Sequence, residues 1–350
     1  MIPAVIRNAL RSTGLHKAGR LWCKGPAVLF YHGVVEHKHN PLMQYLHMPL
    51  KRFEREAAYL AREWEVISLD DLAKGLAEGR GLHRRQVVIT FDDGFRNNAT
   101  LAAPVLDALG LPYAIFVSTR MVEEGLRAPS YYMRAVLFLS GLKQVRVPTL
   151  GLELSLEGDA ALEAARQTLR KAMERLPQKQ VRGIIKDLKN AMAAEKWAEI
   201  DDDLSSEAMM TWEQVETLAQ GNATIGAHCH DHAILHTSQP EAEVDFQLGH
   251  SKKQLQERLG SCRYFAYPRG GPSGVSPLAL QKAEQHGFEL SFTTLLGEVH
   301  QVPSPHLIPR FLSPDLDSPG LEALSYLLSS RFRSQEQYLS QCRSIMEALP

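Results

Sequence analysis

The sequence predicts an α/β protein in which strands and helices alternate and the strands build a mainly parallel sheet. Short apolar runs rich in β-branched and aromatic residues recur along the chain and are interpreted as buried strands. These runs occupy residues 27–31, 87–91, 113–117, 224–227, 264–267 and 290–293. Between them, apolar residues spaced three and four positions apart predict helices. This periodicity leaves open whether the sheet closes into a barrel or stays open and doubly wound.

The predicted helices occupy residues 53–60, 69–77, 99–109, 212–219, 244–259 and 277–286. Two of them begin with a capping box, Ser68 with Asp71 and Thr211 with Gln214, in which side chains bond the free N–H groups of the first turn. Gly221 is the predicted stop of the second of these helices. These signals place helices between the predicted strands, as the α/β interpretation requires.

The alternation breaks between residues 121 and 206, and we interpret this segment as an insertion. Two short alternating runs, at 145–147 and 152–156, flank a Pro-Thr-Leu-Gly turn and predict a hairpin. Two helical runs follow it, at 161–176 and 181–194. The insertion is expected to be either a lid over a site or a structural decoration. The expected organisation is a basic segment at 1–26, an α/β unit at 27–120 and 207–315, the insertion at 121–206, and C-terminal helices at 316–350.

The composition is that of an ordinary globular protein. Hydrophobic residues make up 44% of the 350 residues, charged residues make up 23%, and the net charge is -1. No positive field for binding polyanions follows from these values, so nucleic acid is not an expected partner. The four cysteines form no CxxC pair and are too few for a disulfide framework, which predicts a reducing compartment.

The N-terminal segment is basic, because five lysines and arginines precede Glu36, the first acidic residue. Apolar residues at helical spacing between them predict either an interfacial helix on an anionic membrane or a helix packed on the protein. No apolar run is long enough for the core of a signal peptide or for a bilayer span. The expectation is a cytoplasmic protein, with peripheral membrane contact as an open alternative.

Two adjacent carboxylates, Asp92 and Asp93, follow the predicted strand at 87–91 and precede Gly94. Neighbouring like charges raise each other's pKa unless a cation or a hydrogen-bond donor compensates them. A bound metal would keep one carboxylate ionised and leave the other free as a base. An exposed Asp-Asp-Gly turn is the alternative interpretation.

A histidine cluster follows the predicted strand at 224–227. His228 and His232 are four positions apart, which puts both imidazoles on one side of a helical turn. Together with Asp93 they form a set of two histidines and one carboxylate that leaves coordination positions open for water and substrate. The spacing does not fit oxygenases with a facial triad, and the cluster comes too late in the chain for binuclear hydrolases. A solvated polar loop is the remaining alternative.

These residues resemble three motifs of the polysaccharide deacetylases with a NodB-type homology domain, carbohydrate esterase family 4. Residues 90–94 (TFDDG) resemble the first motif, 228–232 (HCHDH) the second and 265–270 (FAYPRG) the third. The pair Tyr31-His32 resembles the biofilm poly-N-acetylglucosamine deacetylases within this family. The resemblance implies a distorted (β/α) barrel of about seven strands, here carrying a largely helical insertion.

The resemblance also assigns roles to the first two motifs. Asp93, His228 and His232 would bind a divalent metal, with zinc as the expected ion. Asp92 would be the general base of the hydrolysis. Cys229 departs from the family, which usually has Ser or Thr at this position; a small packing residue is expected there.

The other implied roles concern substrate and proton transfer. Tyr267, Pro268 and Arg269 of the third motif are expected at the substrate, with the Arg269 N–H stabilising the oxyanion. The sequence lacks the late Leu-x-His motif that usually supplies the acid, so the resemblance to the biofilm enzymes gives that role to His32. A core-packed histidine is the alternative for His32. Arg310 is expected either to pair with Asp92 or to form a surface ion pair.

The function implied is metal-dependent removal of the N-acetyl group from an N-acetylhexosamine, with release of acetate. The expected partner is a polysaccharide or a lipid-linked glycan precursor. Two alternatives stay open: a catalytically silent glycan-binding protein of the same fold, and a metal-dependent hydrolase of a different amide or ester.

Overall fold

A computed structural model of the protein describes residues 24–313 and 335–347. Most of the basic segment at 1–26, including the residues at helical spacing between 2 and 10, lies outside the described residues. The same holds for 316–334 and 348–350 of the predicted C-terminal helices.

The described strands alternate with helices, as the sequence predicts. The strands are β1 (Ala27–Tyr31), β2 (Val34–Val35), β3 (Met48–Pro49), β4 (Glu65–Val66), β5 (Gln86–Phe91), β6 (Tyr113–Val117), β7 (Gln144–Val147), β8 (Leu152–Ser155), β9 (Ala223–Ala227), β10 (Tyr264–Ala266), β11 (Leu290–Phe292) and β12 (Phe311–Leu312). The helices are α1 (Leu50–Glu63), α2 (Leu69–Glu78), α3 (Ala103–Ala108), α4 (Thr119–Glu124), α5 (Pro129–Leu139), α6 (Asp159–Arg175), α7 (Gln178–Asn190), α8 (Ala194–Asp203), α9 (Trp212–Ala219), α10 (Glu241–Leu259), α11 (Pro277–Gln285) and α12 (Gln335–Glu347).

The central sheet has the order β11-β10-β9-β6-β5-β1-β12, with β4 paired to the start of β5, and every pairing in it is parallel. The segment before β12 also reaches the opposite edge. The Ser291 N–H donates to the Pro305 carbonyl at 2.9 Å, and the Ile308 N–H donates to the Ser291 carbonyl at 2.9 Å. The segment at 305–312 therefore bonds to β11 on one side and to β1 on the other, so the sheet is curled. The fold is the distorted (β/α) barrel that the resemblance implied.

The strands are apolar throughout because both of their faces are covered. Along β5, Val87 and Ile89 pack towards the surrounding helices, and Val88 packs into the barrel. The same alternation runs through β6 and β10. Because side chains alternate with a period of two, each strand also sets the direction of the side chain at the position just beyond its end.

The sequence-based elements agree closely with the structure. The six predicted strands end within one residue of the observed ones, and both capping boxes are present. The helix that follows β5 differs, because it opens with a π-helical turn at Asn98–Ala102 before α3. Such turns are frequent at functional sites. Here the turn brings the Asn98 side-chain amide to the His32 carbonyl, at 2.6 Å.

The predicted insertion packs around a second apolar cluster, to which Met43 from outside the insertion also contributes. The hairpin is present as the antiparallel pair β7–β8, and both predicted helices are present as α6 and α7. Helices α5 and α8 were not predicted. The cluster includes Tyr131, Val136, Leu169, Ile184 and Leu188.

We predict that Ile184→Ala lowers the free energy of unfolding by about 2–5 kcal/mol, because it leaves a cavity in this cluster. Ile184 is fully buried, whereas Ile185 on the same helix is only partly buried. Ile185→Ala is the matched control and should cost clearly less. Urea unfolding measures both, and equal losses would contradict the second apolar cluster as a core.

Candidate active site

The candidate residues lie where the inner faces of neighbouring strands end. β1 pairs with β5 in a register that sets Phe30 beside Thr90, so His32 and Asp92 follow at matching heights. Val117 of β6 lies beside Ala227 of β9, so His228 follows β9 at the same rim. This is the carboxyl-terminal end of the parallel strands, where barrel enzymes place their chemistry.

Three side chains from the first two motifs converge at this rim. One carboxylate oxygen of Asp93, Oδ1, lies 3.0 Å from His232 Nε2 and 3.4 Å from His228 Nε2. One ligand atom from each residue lies within 4.8 Å of the others. The sequence-predicted ligand set is therefore assembled around one point.

The backbone at this point is strained. Asp93, Cys229 and His232 have φ angles of 74°, 63° and 55°, and they are the non-glycine residues with positive φ in the described part of the chain. Residues in the left-handed region are uncommon and persist only where the surroundings enforce them. All three lie in the first two motifs, so the strain is confined to the loops that bring the ligands together.

The hydrogen bond of His228 engages one of its two ring nitrogens. Its Nδ1 is 2.7 Å from the Ala266 carbonyl, which can only accept, so Nδ1 carries the proton. The unprotonated Nε2 therefore faces Asp93 in the neutral ring. A backbone bond of this kind orients metal-binding imidazoles in proteins. The donor set of two imidazoles and a carboxylate fits a divalent metal such as zinc.

The second carboxylate, Asp92, lies in a buried ion pair with Arg310. The guanidinium donates from Nη1 to Oδ1 at 2.7 Å and from Nη2 to Oδ2 at 2.8 Å. Arg310 is fully buried and also donates from Nε to the Thr293 carbonyl at 3.0 Å. The sequence left this residue between a partner of Asp92 and a surface ion pair; the structure places it in the bidentate pair.

Burial and the neighbouring charges shift the pKa of the two carboxylates in opposite directions. Burial raises the pKa of Asp92, but the charge and hydrogen bonds of Arg310 outweigh it, and the pKa lies below its ordinary value. Burial also raises the pKa of Asp93, but His232 and His228 outweigh it and hold the pKa well below its ordinary value. Both side chains are thus kept as carboxylates.

His32 lines the same cavity as Asp93 and His232. Its Nδ1 is buried and has no hydrogen-bond partner among the described residues. Burial lowers the pKa of His32, partly offset by the charges of Asp93 and Asp92. The ring therefore lies at the rim, and its Nδ1 makes no hydrogen bond within the described part of the chain.

The third motif divides between the cavity and the core. Pro268 and Arg269 line the cavity, and Arg269 forms an ion pair with Glu174 of α6. Tyr267 is 1% exposed, and its hydroxyl donates to the His306 carbonyl at 3.2 Å. Its side chain packs with the outer cluster under the helices. The structure thus brings Pro268 and Arg269 to the site but leaves the Tyr267 side chain in the core.

The other residues of the second motif support the loop. The Cys229 thiol is buried and donates to the Ala233 carbonyl at 3.6 Å, and burial raises its pKa well above the ordinary value. The Gln247 side-chain oxygen accepts from the N–H groups of His230 and Asp231 at 3.0 and 2.9 Å. Sequence reasoning missed Gln247, because a glutamine on an amphipathic helix gives no signal of its partner.

The cavity beside the ligand cluster has a volume of about 740 Å³. Its wall joins the barrel rim to the insertion, which contributes Met133 and Arg134 from α5 and Glu174 from α6. Cavities of about 300–1,000 Å³ are typical of small-molecule sites. The insertion therefore forms part of the wall of the candidate site.

Two histidines and a carboxylate at the carboxyl-terminal rim of a parallel barrel form a donor set of the kind that can hold a divalent metal in a hydrolase. The sequence profile of a family described as polysaccharide deacetylase matches residues 79–291, more than half of the chain. The chain belongs to this family. It is a hydrolase of the deacetylase class, which cleaves amide bonds of glycans.

Solved structures share the fold. The deacetylase PplD of Streptococcus pyogenes, in complex with acetate, matches with a TM-score of 0.57 and 15% identity over 88% of this chain and 99% of that one. IcaB from Ammonifex degensii matches with a TM-score of 0.55 and 18% identity over 88% and 97%. A de-N-acetylase from Aggregatibacter actinomycetemcomitans matches with a TM-score of 0.51 and 15% identity over 86% and 99%. No curated protein matches the sequence. Among the described helices, none has the length and apolarity to span a membrane.

We predict that Arg310→Met lowers the free energy of unfolding by about 3–5 kcal/mol, because it leaves Asp92 buried without its partner. Asp92→Asn leaves the guanidinium unpaired and should also destabilise the protein. The double variant should lose clearly less than the sum of the two single losses. Urea unfolding of the four proteins measures this coupling, and additive losses would show that the pair is not coupled.

Proposed function

We propose that the protein removes the N-acetyl group from an N-acetylhexosamine in a polysaccharide or a lipid-linked glycan precursor. The observation that carries the proposal is the cluster of Asp93, His228 and His232, which lies at the barrel rim and opens into the cavity. Family membership supports a glycan substrate. The names of the similar structures, deacetylases and a de-N-acetylase, support the acetamide as the bond cleaved.

Asp93, His228 and His232 are the residues that would hold a divalent metal, and we propose zinc. Such an ion supplies Lewis acidity towards the acetamide carbonyl oxygen. The orientation of the His228 ring by the Ala266 carbonyl supports this assignment.

Asp92 is proposed as the general base that takes a proton from the attacking water. Both of its oxygens accept from Arg310, yet a carboxylate has about four acceptor sites, so each oxygen can accept a further bond. Arg310 holds the side chain in one orientation and keeps it ionised. A general base has to be both ionised and positioned, and the ion pair serves both needs.

Arg269 and His32 are proposed for the later part of the reaction. The Arg269 N–H would stabilise the oxyanion, with Pro268 setting the turn that presents it. His32, in its protonated form, would hand a proton to the departing amine and return to the neutral ring. Its place in the cavity wall and the lack of a hydrogen-bond partner at its Nδ1 support this role.

Hydrolysis is favoured over a glycan-binding protein without activity, because the three proposed ligands converge on one point and the proposed base is the neighbour of one of them. A site of this kind selects a carbonyl rather than a sugar, so hydrolysis of a different amide or ester is the alternative that the acetate assay has to test. We also propose a cytoplasmic protein that contacts the membrane surface peripherally. The free thiols of Cys229, Cys262 and Cys342 support a reducing compartment, and the basic N-terminal sequence supports attraction to anionic lipid.

We predict that the zinc-loaded protein releases acetate from chitooligosaccharides and that His228→Ala loses both this activity and tight zinc binding. His230→Ala is the matched control, because His230 lies in the same loop but bonds Thr119 instead of Asp93. It should retain zinc. Acetate assay and metal analysis of the purified proteins measure both properties. Tight zinc binding without acetate from any N-acetylated sugar would contradict the deacetylase.

We predict that His32→Ala lowers kcat by about 10²-fold or more, in the range of general acid catalysis, while the zinc content stays at the wild-type level. His32 is not among the three ligands, so its loss should spare the metal. Steady-state kinetics and metal analysis on the same preparation separate these effects. An unchanged kcat would remove His32 from the reaction.

A further inference from the structure

Arg134 of α5 is a buried arginine in the wall of the candidate site. It is 8% exposed and lines the cavity that also contains Asp93, His232 and His32. Its Nε and Nη1 are buried and have no hydrogen-bond partner among the described residues. A guanidinium carries five N–H donors and stays charged, so this is an unusual state for it.

The other arginines of the cavity wall are already paired. Arg166 donates to Glu163 at 2.6 and 2.7 Å, and Arg170 donates to Glu174 at 2.9 and 3.0 Å. Arg134 has no carboxylate within ion-pair distance among the described residues. Burial lowers its pKa, as expected for a cation that has left water without a partner.

The acidic groups that influence Arg134 are committed elsewhere. They are Glu207 and Asp93. Glu207 pairs with His47 at 2.5 Å, and Asp93 lies among the candidate metal ligands. The partner of Arg134 is instead the ring of Tyr45, 4.1 Å from the guanidinium carbon. Stacking on a ring fixes the plane of the guanidinium but leaves its edge, which carries the donors, free.

We propose that Arg134 is an anion-binding element of this cavity and that the substrate carries a carboxylate or phosphate group beside the N-acetylhexosamine. The proposal rests on the proposed function, because it names a property of the substrate of the same site. Burying a cation without a partner costs free energy, and a bound oxyanion would supply the missing partner. The planar fork matches the two oxygens of a carboxylate or phosphate.

The first test compares acetate release from anionic substrates and from neutral counterparts of equal length. A tetrasaccharide of alternating N-acetylglucosamine and glucuronic acid is compared with tetra-N-acetylchitotetraose, and N-acetylglucosamine 1-phosphate is compared with N-acetylglucosamine. Arg134→Met should lower kcat/KM for the preferred anionic substrate by about 30-fold or more relative to its neutral counterpart. Arg134→Lys keeps the charge but loses the fork, and should show a smaller loss.

Arg166→Lys is the matched control, because Arg166 lines the same cavity but is already paired with Glu163. It should leave the ratio of anionic to neutral substrate unchanged. Thermal unfolding and zinc content of each variant show whether the protein is folded. An unchanged ratio in Arg134→Met, or an equal fall for all substrates in both Arg134 variants, would overturn the proposal.

A binding experiment separates this proposal from the proposed function. Glucosamine 1-phosphate and glucosamine have no acetamide and differ only in the phosphate. Calorimetry with the zinc-loaded protein should show tighter binding of the phosphate, lost in Arg134→Met but kept in Arg166→Lys. If no sugar yields acetate but this difference persists, the anion site stands and the deacetylase fails. If acetate is released but neither anion depends on Arg134, the anion site fails alone.

Discussion

The burial of two adjacent carboxylates at the end of β5 is the constraint on which the rest of the site depends. Asp92 and Asp93 are each 3% exposed, and two neighbouring negative charges out of water need compensation. The chain compensates the charge of each carboxylate separately. Arg310 brings a fixed charge to one, and the two histidines leave room for a metal at the other. In the mechanism proposed above, this separation lets Asp92 serve as the base and Asp93 as a metal ligand.

The strained backbone conformations of Asp93 and His232 make it possible to compensate the two carboxylates separately. Strand alternation alone would direct Asp92 into the barrel and Asp93 away from it. The left-handed conformation of Asp93 breaks the alternation, and that of His232 returns its ring towards the same point. The loop that carries His228 and His232 is bonded to its surroundings: the Ser118 hydroxyl donates to the His228 carbonyl at 2.8 Å, and the Gln247 side chain accepts from the Asp231 N–H at 2.9 Å. The loops are therefore held in position by the barrel beneath them.

Sequence reasoning succeeded where the signal is local. Strands, capping boxes and the motif residues at strand ends follow from periodicity and from residue chemistry. Tyr267 shows where the reasoning stopped short, because β10 directs Ala266 inward and Tyr267 towards the helices. Strand alternation could have indicated this direction. Arg310 is different: it lies 218 positions from Asp92, and only the folded chain decides between a buried pair and a surface pair. Arg134 gave no signal, because its state depends on how the insertion packs.

The insertion and the barrel contribute different parts of one site. The barrel supplies the groups proposed to act on the carbonyl, and these groups lie at strand ends whose spacing is fixed by the parallel register. The insertion supplies the far wall, and the ion pair between Glu174 and Arg269 joins that wall to the third motif. Because that wall packs mainly on the second apolar cluster, it can vary without displacing Asp93, His228 and His232. Substrate choice should therefore lie with residues such as Arg134, while the reaction itself stays with the barrel rim.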